Sequence, residues 1–165
     1  MEFSITDDNG FIALINAEKY NGFIDENWSL NQICERFINE MNNQNLIIWR
    51  TNNFGGGNWK IEILDNPSNK KVFRKFEKTI NVTSEELYLT EYTDLSMVAQ
   101  FDDEKIPSKH NSHLKFKIEN GIHNIEVRQM FDQNLYGENN DVDFEVVIKK
   151  VGGNVSTQTE GIYWW

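Results

Sequence analysis

The clearest pattern along the chain is helical. Leu30, Ile33, Cys34, Phe37, Ile38 and Met41 recur at i, i+3, i+4, i+7, i+8 and i+11. That spacing places them on one face of a 3.6-residue period and predicts an amphipathic helix over about residues 30–42. Ser29 followed by Gln32 has capping-box spacing, in which each side chain satisfies a free backbone N–H of the first turn. Trp28 is placed to pack back on that turn, and the polar run Asn42-Asn43-Gln44-Asn45 stops the helix.

Elsewhere the period is two, or the apolar runs are short. Phe11 to Ile15 and Leu46 to Trp49 have strand length, and Trp59 to Leu64 alternates with Trp59, Ile61 and Ile63 on one face. Phe76, Ile80 and Val82 share a parity, as do Leu87 and Leu89, and Leu95 to Phe101 reads as a further strand. Val142, Phe144, Val146 and Ile148 face one way; Asp143, Glu145 and Lys149 face the other. The pair Asn120-Gly121 suits a two-residue type I′ turn. A hairpin closed there sets Ile118 opposite His123, Phe116 opposite Ile125 and Leu114 opposite Val127, with Lys115 across from Glu126.

Loops are expected over 51–58, 65–69, 102–112 and 133–141. Strands divided by turns, one early helix and no β–α alternation predict a mainly β chain. The expected fold is an antiparallel β-sandwich or curled sheet with one amphipathic helix packed on it. A length of 165 residues suits one domain, with a core over about 3–150. The remaining segment, 151–165, is a tail led by Gly152-Gly153, and its closing Tyr163-Trp164-Trp165 is expected to dock.

Charge narrows the partners. Sixteen Lys and Arg against 26 Asp and Glu give −10 and a pI of about 4.7. That argues against direct binding of nucleic acid or anionic lipid, which need a basic face, and suits a basic partner. Hydrophobic residues at 39% and aromatics at 13% supply a core despite a mean hydropathy of −0.60. One cysteine excludes a disulfide framework. The opening MEFSITDDNG has no basic or apolar region of a signal peptide, and no apolar run approaches the ~18 residues of a membrane span, so a cytoplasmic protein is expected.

No motif declares catalysis. His110 and His113 form an H-x-x-H, with His123 nearby, but no Glu follows as in H-E-x-x-H and the one Cys belongs to the helix face. No metal or cofactor is therefore expected. Cys34 on an apolar stripe reads as a small hydrophobe rather than a nucleophile. The run Phe54-Gly55-Gly56-Gly57-Asn58 lacks the G-K-[ST] ending of a phosphate loop and reads as a hairpin loop able to join a contact surface. Acidic clusters at Asp7-Asp8, Glu85-Glu86, Asp102-Asp103-Glu104 and Glu138 to Asp143 lack EF-hand spacing. Lys70, Lys71, Arg74, Lys75 and Lys78 suit a charged edge strand, with Arg74 and Lys78 sharing a face with Phe76. Trp28, Trp49 and Trp59 fall at core positions, while Trp164 and Trp165 lie beyond the last strand.

The order of features carries a resemblance. An early strand precedes Trp28-Ser29, followed by the paired strands Leu46-Ile47-Ile48-Trp49 and Trp59 to Ile63. A meander through Lys78-Thr79-Ile80-Asn81-Val82-Thr83 and Leu87-Tyr88-Leu89 then leads to the segment Leu114 to Val127. Over about residues 3–150 this resembles the small β-sandwich proteins of the bacterial competence-J type, inhibitors of a DNA-entry nuclease, and more broadly toxin-immunity proteins. The resemblance implies a small acidic cytoplasmic protein without catalytic residues. Its partner would be a cognate basic toxin or nuclease, neutralised by occlusion of the active site.

The contact surface is expected at Asp102, Asp103, Glu104, Glu138, Asp141 and Asp143, and around Phe54. The alternative is a sugar- or small-ligand-binding sandwich using exposed aromatics. A hydrolase using carboxylates or His110 and His113 is a third reading.

Overall fold

The computed structural model describes residues 1–134, 141–151 and 158–165. Its elements run β1 (Glu2–Asp7), β2 (Phe11–Ile15), α1 (Leu30–Asn42), β3 (Leu46–Arg50), β4 (Gly57–Leu64), β5 (Arg74–Val82), β6 (Glu86–Glu91), α2 (Tyr92–Gln100), β7 (Lys115–Lys117), β8 (Gly121–Gln129) and β9 (Phe144–Lys150). The helix α1 forms as its period and cap dictate. Gln32 Oε1 accepts the Ser29 N–H at 2.8 Å, the Ser29 side chain accepts the Gln32 N–H, and Ile33, Phe37 and Met41 are buried.

The strands form two sheets, ordered β1-β4-β9-β8-β5 and β3-β2-β6-β7. One core lies between them. Ile5, Trp59, Ile61, Ile125, Val127, Phe144 and Val146 come from the larger sheet, and Ile12, Leu14, Ile47, Trp49, Leu87, Leu89 and Phe116 from the smaller. A second core covers the other face of the smaller sheet, where Ala13, Ile15, Leu46 and Ile48 meet Ile33, Phe37 and Met41 of α1 and Leu95 and Ala99 of α2. This explains why Phe11–Ile15 and Leu46–Trp49 are continuous apolar runs while β4 alternates. Strands buried on both faces need no polar side, whereas the larger sheet turns one face outward.

The fold is thus mainly β with a helix packed on a sheet, and it departs from the sequence reading in three places. The pair β4–β9 is parallel. Leu95 to Phe101 is not a strand: it lies in α2 and its C-cap, because Glu91 caps the helix by accepting the Thr93 and Asp94 N–H groups at 2.7 and 2.8 Å. Leu95, Val98 and Ala99 then face inward at helical spacing.

No hairpin closes at Asn120-Gly121 either. The segment Lys115–Lys117 pairs with β6 in one sheet, and Gly121–Gln129 pairs with β5 and β9 in the other. Asn120 Oδ1 accepts the Glu85 N–H at 2.8 Å, and Gly121, at φ 128°, turns the chain across the sandwich. Phe116, Ile125 and Val127 still share a core, but they face one another across it. Lys115 consequently pairs with Glu86 at 3.0 Å, and Glu126 with Lys75 at 2.7 Å, instead of with each other.

The strand β5, with Lys75 outward, is an edge of the larger sheet. The end of the chain docks between the sheets: the Arg50 N–H donates to the Tyr163 carbonyl at 3.0 Å, and Tyr163 stacks on Phe76 with ring centroids 3.7 Å apart.

Candidate functional site

The period of α2 sorts its apolar residues onto two sides. Leu95, Val98 and Ala99 enter the core, which leaves Met97 and the capping Phe101 on the outer side, one turn apart. Residues 22–26 lie alongside this end of the helix. The Ile24 and Asp25 N–H groups both donate to the Ala99 carbonyl, at 2.9 and 3.2 Å, and the Gln100 side-chain amide donates to the Glu26 carbonyl at 3.2 Å. Gly22 permits the close approach, since a Cβ there would come within 2.4 Å of Val98 Cγ1.

The result is an apolar surface with an acidic rim. Phe23, Met97 and Phe101 are 41%, 39% and 38% exposed, large values for such side chains in a chain with two filled cores. Around them Asp25, Glu26, Asp102, Asp103 and Glu104 are exposed, and Lys105 is the cation that follows in sequence. Among the described residues none of these five carboxylates forms an ion pair. An apolar centre inside a polar rim is the anatomy of a protein interface, and a rim of one sign selects a partner of the other.

The other residues expected from sequence lie elsewhere. Phe54 is 76% exposed, in the loop before β4. That loop adjoins the β1–β2 turn, where Gly10 approaches Gly55, and Asn9 in the same turn donates to Thr93 Oγ1 at 3.3 Å. Phe54 therefore belongs with the N-terminal end of α2 and Asp102 to Glu104 with its C-terminal end, about 13 Å along the helix. Asp141 is exposed. Asp143 is half-buried on the larger sheet and accepts the Lys60 N–H at 2.8 Å. Burial raises its carboxyl pKa, opposed by that hydrogen bond and by the Lys60 charge. Glu138 lies outside the described residues. The structure thus joins Asp102, Asp103 and Glu104 to Asp25 and Glu26, not to Phe54 or Asp143.

His110 and His113 are exposed, while His123 is buried with Nε2 2.8 Å from the Glu119 carbonyl. Among the described residues no three His, Cys, Asp or Glu side chains gather as a cation site. No described helix is long and apolar enough to cross a membrane. Trp49 and Trp59 are buried, Trp28 and Trp164 pack against the cores, and Trp165 is exposed. Trp165 closes a pocket of about 160 Å³ with Phe11, Leu30, Cys34, Phe37 and Tyr92. Cys34 is half-buried, not sealed in the core, and burial raises its thiol pKa, which holds it in the less nucleophilic protonated form.

Phe23, Met97 and Phe101 were not legible as a surface. The strand reading of Leu95 to Phe101 hid the i, i+4 relation of Met97 and Phe101; the Glu91-x-Thr93-Asp94 start is the signal that would have revealed it.

No family model matches the chain, and no curated protein matches it in sequence. Solved structures do. One, described as crocagin biosynthetic gene J, is 11% identical with a TM-score of 0.59, over 90% of this chain and 95% of that one. A second is ComJ, inhibitor of the DNA-degrading activity of NucA, from Bacillus subtilis, 12% identical with a TM-score of 0.49, over 92% and 96%. The first similarity shows a shared fold.

Proposed function

We propose that this chain is a cytoplasmic immunity or inhibitor protein that binds a basic effector, a nuclease, and neutralises it by covering its nucleic-acid groove. The observation that carries this reading is the apolar surface of Phe23, Met97 and Phe101 inside the rim of Asp25, Glu26, Asp102, Asp103 and Glu104. A nuclease must present cations to a polyanion, and those cations are what such a rim attracts. With a net charge of −10, long-range steering speeds the encounter, while the exposed aromatic and thioether side chains supply the apolar contact that holds it. The chain acts by occupying a site and performs no chemistry of its own. Phe54, Asp141 and Asp143 form no part of this surface as proposed.

The test uses the product of the gene adjoining this one, purified and assayed for cleavage of DNA and RNA. Stoichiometric addition of this protein abolishes the cleavage. A basic nuclease from that position whose activity is untouched would overturn the reading. The sugar-binding alternative has no comparable support, since Trp49 and Trp59 are buried and Trp28 and Trp164 pack against the cores.

A further inference from the structure

Two arginines at the sheet edges, Arg50 and Arg74, pair with no acid among the described residues. Arg50 ends β3, an edge of the smaller sheet, and Arg74 begins β5, an edge of the larger one. The docked end of the chain lies between them. Tyr163 takes the Arg50 backbone N–H, and the Trp164 ring centroid lies 4.3 Å from Arg74 Cζ. Trp164 is itself fixed against Phe76 and Phe144, at centroid distances of 5.0 and 6.5 Å. Arg74 Nε donates to Gln129 Oε1 at 2.7 Å, which orients the guanidinium.

Neither arginine forms an ion pair among the described residues, and Arg50 Nε and Arg74 Nη2 are both buried without a hydrogen-bond partner. The two guanidiniums also sense each other: burial lowers the pKa of Arg74, and the charge of Arg50 lowers it further. Lys78 continues the same face of β5, with Nζ 3.4 Å from Asn42 Oδ1. Buried N–H donors are satisfied in nearly all folded proteins, and like charges are kept together only at a cost. A group that accepts from both arginines and carries negative charge removes both penalties.

We propose that Arg50 and Arg74 form an oxyanion site beside the Trp164 ring, accepting a carboxylate or phosphate group. Guanidinium forks match the paired oxygens of either group. The site is separate from the acid-rimmed surface of α2, so it does not depend on the effector reading.

The experiment follows the Arg50 and Arg74 Nε–H resonances by NMR while inorganic phosphate or acetate is added, with sodium chloride at matched ionic strength as control. Both resonances move together and saturate with phosphate, acetate or both, and the tighter of the two identifies the favoured group. Arg50→Gln weakens that binding roughly tenfold or more, as loss of a charge-assisted hydrogen bond requires. In anion-free buffer the same variant is no less stable than the wild type, because it loses a repulsion and no partner. The proposal is overturned if neither anion moves the resonances beyond the chloride control, or if Arg50→Gln binds as tightly as the wild type.

Discussion

Met97 and Phe101 stand one turn apart at the end of α2, joined by the hydrogen bond from the Phe101 N–H to the Met97 carbonyl at 2.9 Å, and both leave their side chains open to water. The inward side of the helix is fully used by Leu95, Val98 and Ala99, so the fold does not need this outer pair. Apolar side chains that stability does not require, set among unpaired carboxylates, are available for a partner.

Phe101→Ala and Met97→Ala are therefore expected to cost the isolated protein only about 1 kcal/mol each, for the part of the side chain that is covered. Their effect on a bound effector is larger, a loss of affinity of roughly tenfold or more for Phe101→Ala if it acts as a central anchor. Urea denaturation and calorimetric titration separate the two quantities. A Phe101→Ala protein that unfolds early and binds normally contradicts the assignment.

Reversing the rim acts on rate. Replacing Asp102, Asp103 and Glu104 by Lys lowers the association rate constant and flattens its dependence on salt, while the dissociation rate changes little. Stopped-flow measurements over a range of ionic strength check this. An unchanged association rate at low salt removes the rim from the encounter.

Asp7 is a structural carboxylate, 2% exposed. Its Oδ1 accepts the N–H groups of Asn9, Gly10 and Phe11, and its Oδ2 accepts the Trp59 indole N–H at 2.6 Å and the Thr51 hydroxyl at 3.2 Å. Asp7→Ala strands those donors and costs about 3–5 kcal/mol. Chemical denaturation reads the loss, and a cost below about 1 kcal/mol would show that the turn finds other acceptors.

Glu91 gives a pH signature. Burial raises its carboxyl pKa above the ordinary 4.5, the N–H groups of Thr93 and Asp94 oppose the rise, and the Asp94 charge adds to it. The folded state therefore holds this proton more tightly than the unfolded chain. The stabilisation is complete below about 4.5 and is lost as the pH rises through the folded value. Glu91→Gln keeps an acceptor at the cap and cannot titrate, so it gains on the wild type as the pH rises above about 4.5. Parallel stability curves for the two proteins would place the titration elsewhere.

Much of the fold was legible because local signals agreed. For α1 the period, the capping box and the polar stop coincide, and the helix forms where they predict. The error at Asn120-Gly121 is more instructive. Alternation states which side chains of Lys115 to Val127 are apolar, but burial beside a partner strand and burial across a sandwich satisfy it equally. Strand pairing is decided by long-range hydrogen bonds, here those of Lys115–Lys117 with β6 and of Gly121–Gln129 with β5 and β9. At α2, the seven residues Leu95 to Phe101, with apolar side chains at 95, 97, 98, 99 and 101, fit a period of two nearly as well as 3.6, and the Glu91 cap decides. The candidate surface was half legible. Asp102 to Glu104 stand out in the sequence, whereas Asp25, Glu26 and Phe23 join them only because residues 22–26 fold back on Ala99.

The most direct test of the central claim is site-specific photo-crosslinking in the native host, with a photoreactive phenylalanine analogue at position 101 and, as control, at position 70. Lys70 is exposed in the loop between β4 and β5, whose Ser68 carbonyl covers Arg128 on the larger sheet, away from α2. One basic protein is captured at position 101 and not at position 70, and the wild-type chain suppresses its nuclease activity. Capture of an acidic protein at position 101, or equal capture at both positions, would contradict the claim.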